Sequence, residues 1–100
     1  MTFHRAIERQ ALWTGEMVSV SIAGRRVLLI DLDGEIVAYP DRCRHQGVPL
    51  SQGKLAAGVL TCSAHGWQYD ARTGQGNNPC GIALTSLAVE VRGADIWVEL

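Results

Sequence analysis

The sequence predicts an all-β protein, either a sandwich or a small barrel, and three features of the chain support this. Apolar and polar residues alternate in several short stretches, tight-turn signals separate these stretches, and no segment keeps the period of a long helix. The chain has 100 residues, of which 47% are hydrophobic and 19% are charged. It is therefore long enough for one modest core and too apolar to be disordered, and we expect a single domain that spans residues 1–100.

Most of the predicted strands rest on the alternation of apolar and polar residues. In the first of them, the alternation places Val18, Val20 and Ile22 on one face. Asp33-Gly34 is a strong signal for a two-residue hairpin turn between the second and third strands. The predicted strands cover, in order, residues 17–22, 26–32, 36–39, 58–61, 67–70, 87–92 and 96–100.

Charge and hydropathy argue against two classes of partner. Nine basic and ten acidic residues give a net charge of −1 and an isoelectric point near 6.3, which disfavours nucleic acid or an anionic membrane as the main partner. The longest apolar run, residues 27–30, is far too short to span a membrane, and the N-terminus has no apolar signal segment. We therefore expect a cytoplasmic protein.

Residues 41–81 differ in composition from the rest of the chain. They are rich in Gly, Pro, Cys, His and Asn, and they contain only two short strand-like pieces. A segment of this length with so little regular structure needs something to order it. Because the cytoplasm disfavours disulfides, its cysteines are better explained as metal ligands, catalytic groups or core residues. A bound metal centre would order this segment.

Two of the three cysteines have a histidine close by. Cys43 and His45 form a Cys-x-His pair, Cys62 and His65 form a Cys-x-x-His pair, and a glycine soon follows each. Thiolate and imidazole ligands suit iron or zinc and not magnesium or calcium. A structural zinc site is the alternative, although such sites usually group two cysteines and then two histidines. Cys80 is left over, and we expect it to pack as a small residue beside a loop.

The two pairs resemble the Rieske family, whose pattern is Cys-x-His, about sixteen residues, and then Cys-x-x-His. The resemblance implies an antiparallel β-sandwich with a small cluster-binding subdomain at about 41–81 that carries one [2Fe–2S] cluster per chain. It also implies that Cys43 and Cys62 bind one iron while His45 and His65 bind the other. Neutral imidazoles leave the oxidised site uncharged, so it accepts an electron more readily than an all-cysteine cluster.

Several neighbouring positions bear on the reduction potential. By the same resemblance, Val48 and Ala64 stand where respiratory members have the cysteines of an inter-loop disulfide, and Trp67 stands where they have a serine. We therefore expect a low-potential ferredoxin. Tyr69 matches a tyrosine that hydrogen-bonds a ligand sulfur in those proteins, although packing alone would also explain it. Trp67 either packs beneath the cluster loop or docks a partner.

The chain is expected to be an electron carrier and not an oxygenase. A Rieske oxygenase needs a second, mononuclear iron with its own histidines, and His4 alone remains outside the two motifs. The segment His65-Gly66-Trp67 and residues 74–79 resemble the Rieske ferredoxins of multicomponent di-iron monooxygenases, which oxidise toluene, alkenes or isoprene. That likeness implies a carrier that takes electrons from an NADH-dependent flavin/iron-sulfur reductase and gives them to a di-iron hydroxylase.

Two alternative systems stay open at this stage. One is the ferredoxin of a ring-hydroxylating dioxygenase, and the other is the small Rieske subunit of a nitrite-reductase-like oxidoreductase. In either case we expect a monomer that meets its partners through the surface around the histidine ligands. That surface would comprise Gln46, Gly47, Val48, Trp67 and Pro79.

Overall fold

A computed structural model describes residues 2–44, 47–64 and 66–100, and it confirms the all-β prediction. Short 3-10 turns at Arg9–Ala11 and Leu50–Gln52 are the helical elements of this described part. None of the helical segments found there has the length and hydropathy that crossing a membrane requires. The strands are β1 (Phe3–Glu8), β2 (Met17–Ile22), β3 (Arg25–Leu32), β4 (Glu35–Pro40), β5 (Lys54–Ala56), β6 (Val59–Thr61), β7 (Gln68–Asp70), β8 (Gly76–Asn78), β9 (Val89–Arg92) and β10 (Asp95–Glu99).

The strands form three antiparallel sheets, with the orders β1-β10-β9, β2-β3-β4 and β5-β6-β7-β8. The first two sheets pack against each other as a sandwich, because side chains from β2, β3, β4 and β10 share one apolar core. The predicted inward face of β2 is confirmed, since Val18, Val20 and Ile22 all belong to this core. Its fully buried members are Leu12, Ile22, Val27, Leu29, Ala38, Ile96 and Val98.

The central strand β3 is buried on both faces. Val27 and Leu29 point into the sandwich core, while Leu28 and Ile30 point into a second core on the opposite face. All four are at most 1% exposed, which explains why this stretch is continuously apolar in sequence. The second core joins the sandwich to the third sheet and its loops. It consists of Leu28, Ile30, Tyr39, Cys43, Leu50, Leu60, Cys62, Tyr69, Ala71 and Leu84.

The hairpin predicted from Asp33-Gly34 is confirmed between β3 and β4. Asp33 and Gly34 have φ angles of 59° and 96°, and two consecutive positive φ angles are what a type I′ turn requires. The Asp31 carboxylate accepts a hydrogen bond from the Gly34 amide at 2.8 Å, and its other oxygen pairs with Arg9 at 3.0 Å. This buried carboxylate is therefore tied both to the turn and to the N-terminal segment.

Three observed strands were not predicted, and the predicted strand that begins at residue 87 starts two residues too early. β1 lacks clean alternation because its pairing with β10 shifts between Arg5 and Ile7. β5 is short, and the Gly-Asn-Asn sequence of β8 is extended only because it pairs with β7. The prediction of a strand from residue 87 is wrong at its start, since Leu87 forms an isolated bridge with Ala38 and β9 begins at Val89.

Candidate metal centre

Two loops with the same backbone pattern carry Cys43 and Cys62. The first follows β4, and the amide of Cys43 donates to the carbonyl of Val48 at 2.8 Å. The second connects β6 to β7, and the amide of Cys62 donates to the carbonyl of Trp67 at 2.8 Å. Each bond closes a tight turn over the same sequence separation, which a left-handed glycine inside the loop permits. These glycines are Gly47, with φ 71°, and Gly66, with φ 69°.

The two thiols are neighbours in the second core. Cys43 is 3% exposed, Cys62 is 1% exposed, and neither forms a disulfide. Burial raises the pKa of the Cys62 thiol; the amide of Ala64 acts to lower this pKa, and the adjacent Cys43 thiol raises it further. A catalytic cysteine needs a lowered pKa, so the raised pKa of Cys62 does not favour this thiol as a nucleophile. Two adjacent buried thiols instead suit a metal, which binds by displacing their protons.

Tyr69 on β7 supplies a hydrogen bond to one of these thiols. Its ring is fully buried, and its hydroxyl oxygen lies 3.3 Å from the Sγ of Cys43. The same oxygen accepts a hydrogen bond from the amide of Arg44 at 3.1 Å, so its own proton is free to be donated to the sulfur. Burial raises the pKa of Tyr69 to about 12, which keeps that proton in place. Of the two roles expected of Tyr69, a hydrogen bond to a sulfur or packing alone, the structure shows the contact with the sulfur.

His45 and His65, the other two predicted ligands, lie outside the residues that the structure describes, as does Gln46. The described half of the site fits an iron–sulfur cluster well. It offers two buried thiols outside any disulfide in one core, two matched loops, and a hydrogen-bond donor aimed at a sulfur. Cys43 and Cys62 lie next to each other in this core, and their binding of a single iron stays a prediction.

Val48 and Ala64, which stand where respiratory members have a disulfide, and Trp67 of the predicted docking surface pack beside the two loops. Val48, Ala64 and Trp67 are partly buried and all lie against the second core. The carbonyl of Trp67 also closes the Cys62 loop. Packing is therefore an established role for Trp67, and docking through its remaining exposed surface stays a prediction.

The expectation that Cys80 packs as a small residue beside a loop is wrong. Its side chain is exposed, and its thiol makes one long contact of 3.6 Å with the carbonyl of Asn77. The inward position of this segment belongs to Ile82, which lies against the second core. The amide of Gly76 also holds the carbonyl of Ile82 at 2.8 Å, which leaves Cys80 at the surface of the intervening turn.

Sequence reasoning missed Asp41, whose side chain anchors the start of the Cys43 loop. Its carboxylate is buried and accepts hydrogen bonds from the amide of Ser51 at 2.9 Å and from the hydroxyl of Ser51 at 2.8 Å. These bonds tie the start of the loop to the Leu50–Gln52 turn. No local signal identifies this role, because the partner lies ten residues further along the chain.

Comparison with known proteins agrees with this site. The model of the Rieske [2Fe-2S] domain family matches residues 2–88. The chain therefore belongs to the Rieske family, whose domain binds a [2Fe–2S] cluster.

Several relatives that this chain covers over most of their own length are named as ferredoxin components, which are electron-transfer subunits and not catalytic enzymes. The chain is 40% identical over 88 residues to the ferredoxin component of the alkene monooxygenase system of Xanthobacter autotrophicus, covering 87% of this chain and 72% of the relative. It is 32% identical over 101 residues to the biphenyl dioxygenase ferredoxin subunit of a Pseudomonas species, covering 99% of this chain and 93% of the relative. The solved ferredoxin of carbazole 1,9a-dioxygenase from Nocardioides aromaticivorans matches with a TM-score of 0.86 at 25% identity, over 98% of this chain and 97% of that one.

The contact between Tyr69 and Cys43 predicts an effect on the reduction potential. A hydroxyl proton donated to a ligand sulfur stabilises the reduced cluster more than the oxidised one, because added electron density makes the sulfur a better acceptor. If the difference is about 1 kcal/mol, Tyr69→Phe should lower the midpoint potential by about 40 mV without loss of iron. Protein-film voltammetry of the two proteins would measure this shift.

Tyr39→Phe is the matched control for this experiment. Tyr39 is equally buried in the second core, but its hydroxyl donates to the carbonyl of Ala71 at 2.9 Å instead of to a sulfur. Its removal should cost about 1–3 kcal/mol of stability and leave the midpoint potential within a few millivolts of wild type. An equal shift in both variants, or none in Tyr69→Phe, would contradict the role assigned to the Tyr69 hydroxyl.

Proposed function

We propose that this chain is the Rieske ferredoxin of an oxygenase system and carries single electrons from an NADH-dependent flavin/iron-sulfur reductase to the oxygenase. The main support is the pair of buried thiols in two matched loops, in a chain that is similar to ferredoxin components along most of its length. We assign the ligands as Cys43 and Cys62 on one iron and His45 and His65 on the other. The Cys-x-His and Cys-x-x-His spacing of the family supports that assignment.

The residues of the chain give the site the properties of a carrier. A bound Rieske cluster supplies reversible one-electron chemistry at about −150 to +300 mV. Burial of Cys43 and Cys62 keeps water from the sulfurs, and Tyr69 holds a proton at one of them. The two closed loops hold the ligands in a fixed geometry, so little must move when an electron arrives or leaves.

For the electron acceptor, a di-iron hydrocarbon monooxygenase is our first choice. It is supported by the higher identity to the alkene monooxygenase ferredoxin, 40% against 32% for the biphenyl dioxygenase ferredoxin. The ferredoxin of a ring-hydroxylating dioxygenase is the second candidate. This candidate is favoured because the match to the biphenyl dioxygenase ferredoxin covers 93% of that relative, and because the fold matches the carbazole dioxygenase ferredoxin.

We further propose that the protein works as a cytoplasmic monomer with one domain, 1–100, and a cluster-binding subdomain at about 41–81. The third sheet, both cysteine loops and the turn that carries Cys80 fall inside this subdomain, which supports its bounds. The second core joins it to the sandwich, which supports treating the whole as one domain.

Single-turnover oxidation tests the choice between acceptors. The reduced chain is mixed with the purified oxygenase component of an alkene monooxygenase or of a biphenyl dioxygenase, each with its hydrocarbon and oxygen. The visible absorption of the ferredoxin, which reduction bleaches, returns as the electron leaves, and the rate of this return is measured. We expect faster transfer to the monooxygenase component. Transfer to the dioxygenase at an equal or higher rate would favour the second candidate, and transfer to neither would contradict an oxygenase partner.

A further inference from the structure

An open groove with a volume of about 1100 Å³ lies beside the Cys43 loop, and its walls are strongly basic. Among the described residues that line it, Asp41 is the one carboxylate, and both of its oxygens are already bonded to Ser51. The groove therefore gathers four positive charges against one negative charge, on a chain whose net charge is −1. The four basic residues are Arg25, Arg26, Arg42 and Arg44.

The groove arginines also differ from the other arginines in their pairing. Outside the groove, Arg5, Arg9, Arg72 and Arg92 each form an ion pair with a carboxylate. Within the groove, Arg26 lies 3.9 Å from Asp41, a weak contact, since Asp41 is held by Ser51. None of the ion pairs between described residues includes the other three groove arginines, and all four are exposed. This surface therefore presents uncompensated cations to a partner.

We propose that this arginine groove docks an acidic surface of the electron donor, the reductase that loads the ferredoxin. The inference rests on the function proposed above. Carboxylates on the partner would face four guanidinium groups, of which only that of Arg26 contacts a carboxylate of the described residues, and at 3.9 Å. Arg is well suited to bidentate pairing with carboxylates. Cys43 lines the same groove, so a partner seated there lies next to a proposed cluster ligand.

The charge change on reduction selects the donor over the acceptor. One electron leaves the reduced donor and enters the ferredoxin, no bond is made or broken, and one negative charge is added beside the groove. That charge weakens the attraction between the groove and an acidic partner. An acidic partner thus binds the oxidised ferredoxin more tightly than the reduced one. A donor needs this order, because it must capture the oxidised form and release the reduced form, whereas an acceptor needs the reverse.

The double variant Arg25→Glu/Arg42→Glu tests the groove, and Arg5→Glu/Arg92→Glu is the matched control. Both change the net charge equally, but the control residues lie on β1 and β9, away from the groove. The oxidised proteins are titrated calorimetrically into the reductase at low and at physiological ionic strength. We expect about tenfold weaker binding of the groove variant at low salt, a flatter salt dependence, and no more than about a twofold change in the control.

Two further measurements complete the test: the affinity of wild-type ferredoxin in both oxidation states, and the cluster content of the variants. Wild-type ferredoxin should bind the reductase more tightly when oxidised than when reduced, and the iron content and visible spectrum of both variants should match wild type. Equal weakening by both double variants would overturn the proposal, because net charge alone would then suffice. Impaired transfer to the oxygenase with unchanged binding to the reductase would also overturn it. A wild-type chain that no NADH-dependent reductase reduces would contradict the proposed function itself, and the groove proposal with it.

Discussion

Replacing Cys62 with serine should yield a chain that retains essentially no [2Fe–2S] cluster. The Cys62 thiol is 1% exposed and adjacent to Cys43, and its loop is closed by a backbone hydrogen bond, so no other described thiol can reach its position. A serine hydroxyl does not replace it, because iron in such clusters is held by thiolate and an alcohol keeps its proton at neutral pH. Iron and acid-labile sulfide per chain, together with visible absorption, measure the loss.

Cys80→Ser is the control for this experiment, since it makes the same chemical change at an exposed thiol. Its one hydrogen bond, which the thiol donates to the carbonyl of Asn77 at 3.6 Å, is exposed and comes from a weak donor, so it contributes little to folding. We expect wild-type iron and sulfide in this variant. Normal cluster content in Cys62→Ser, or its loss in Cys80→Ser, would contradict the assignment of Cys62 as a ligand.

Gly53→Ala should strongly destabilise the half of the molecule that carries the second cysteine loop. A Cβ at Gly53 would lie 2.0 Å from the carbonyl oxygen of Thr61, the last residue of β6 before Cys62. The φ of Gly53 is −87°, outside the left-handed region, so the expected cost comes mainly from the clash. The Cβ position is fixed by the backbone of residue 53 and the atom it meets is a backbone carbonyl, so neither can turn aside. We therefore expect a loss of about 3 kcal/mol or more and a fall in Tm of about 15 °C.

Gly58→Ala in the neighbouring β5–β6 hairpin is the matched control. Its φ is 77°, but a Cβ there would meet no atom within 4 Å, so the cost is limited to the left-handed conformation. That cost is about 1 kcal/mol, or about 5 °C in Tm. Far-UV circular dichroism at one fixed heating rate compares the two variants. A Gly53→Ala protein as stable as Gly58→Ala would mean that Gly53 does not approach β6 so closely.

Sequence reasoning predicted the elements whose signals are local. The strands β2, β3 and β4 and their Asp33-Gly34 turn follow from alternation and from turn chemistry, which neighbouring residues determine. Two strands were missed because they are extended mainly through pairing: β1 with β10, which is distant in sequence, and β8 with β7. The register shifts within both pairings. Non-local pairing of this kind leaves little trace in a single stretch of chain.

In the candidate site, too, sequence reasoning predicted what local spacing determines and left open what depends on the fold. The spacing of Cys43 and Cys62 predicted the thiol pair, but it left open whether Tyr69 bonds a sulfur or only packs. The outward direction of Cys80 depends on Ile82 taking the inward position, which composition does not reveal.

The arginine groove could not be predicted from the sequence. Arg25 and Arg26 are at the start of β3, whereas Arg42 and Arg44 follow β4. The antiparallel register of these strands brings the two pairs together, as the 3.1 Å bond from the amide of Asp41 to the carbonyl of Arg26 records. Each pair of arginines alone is typical of an ordinary solvated surface, and the fold brings the two pairs together to line one basic groove.

Pulsed EPR of the dithionite-reduced protein tests the central claim most directly, because it reports which atoms bind the paramagnetic iron. Two cysteine and two histidine ligands predict a [2Fe–2S] signal coupled to nitrogens of two imidazoles, His45 and His65. Incorporation of ¹⁵N-labelled histidine should change these couplings, and replacement of His4 by glutamine should leave them unchanged. A reduced cluster with no nitrogen coupling, or an EPR-silent protein that contains stoichiometric zinc and no labile sulfide, would contradict the account.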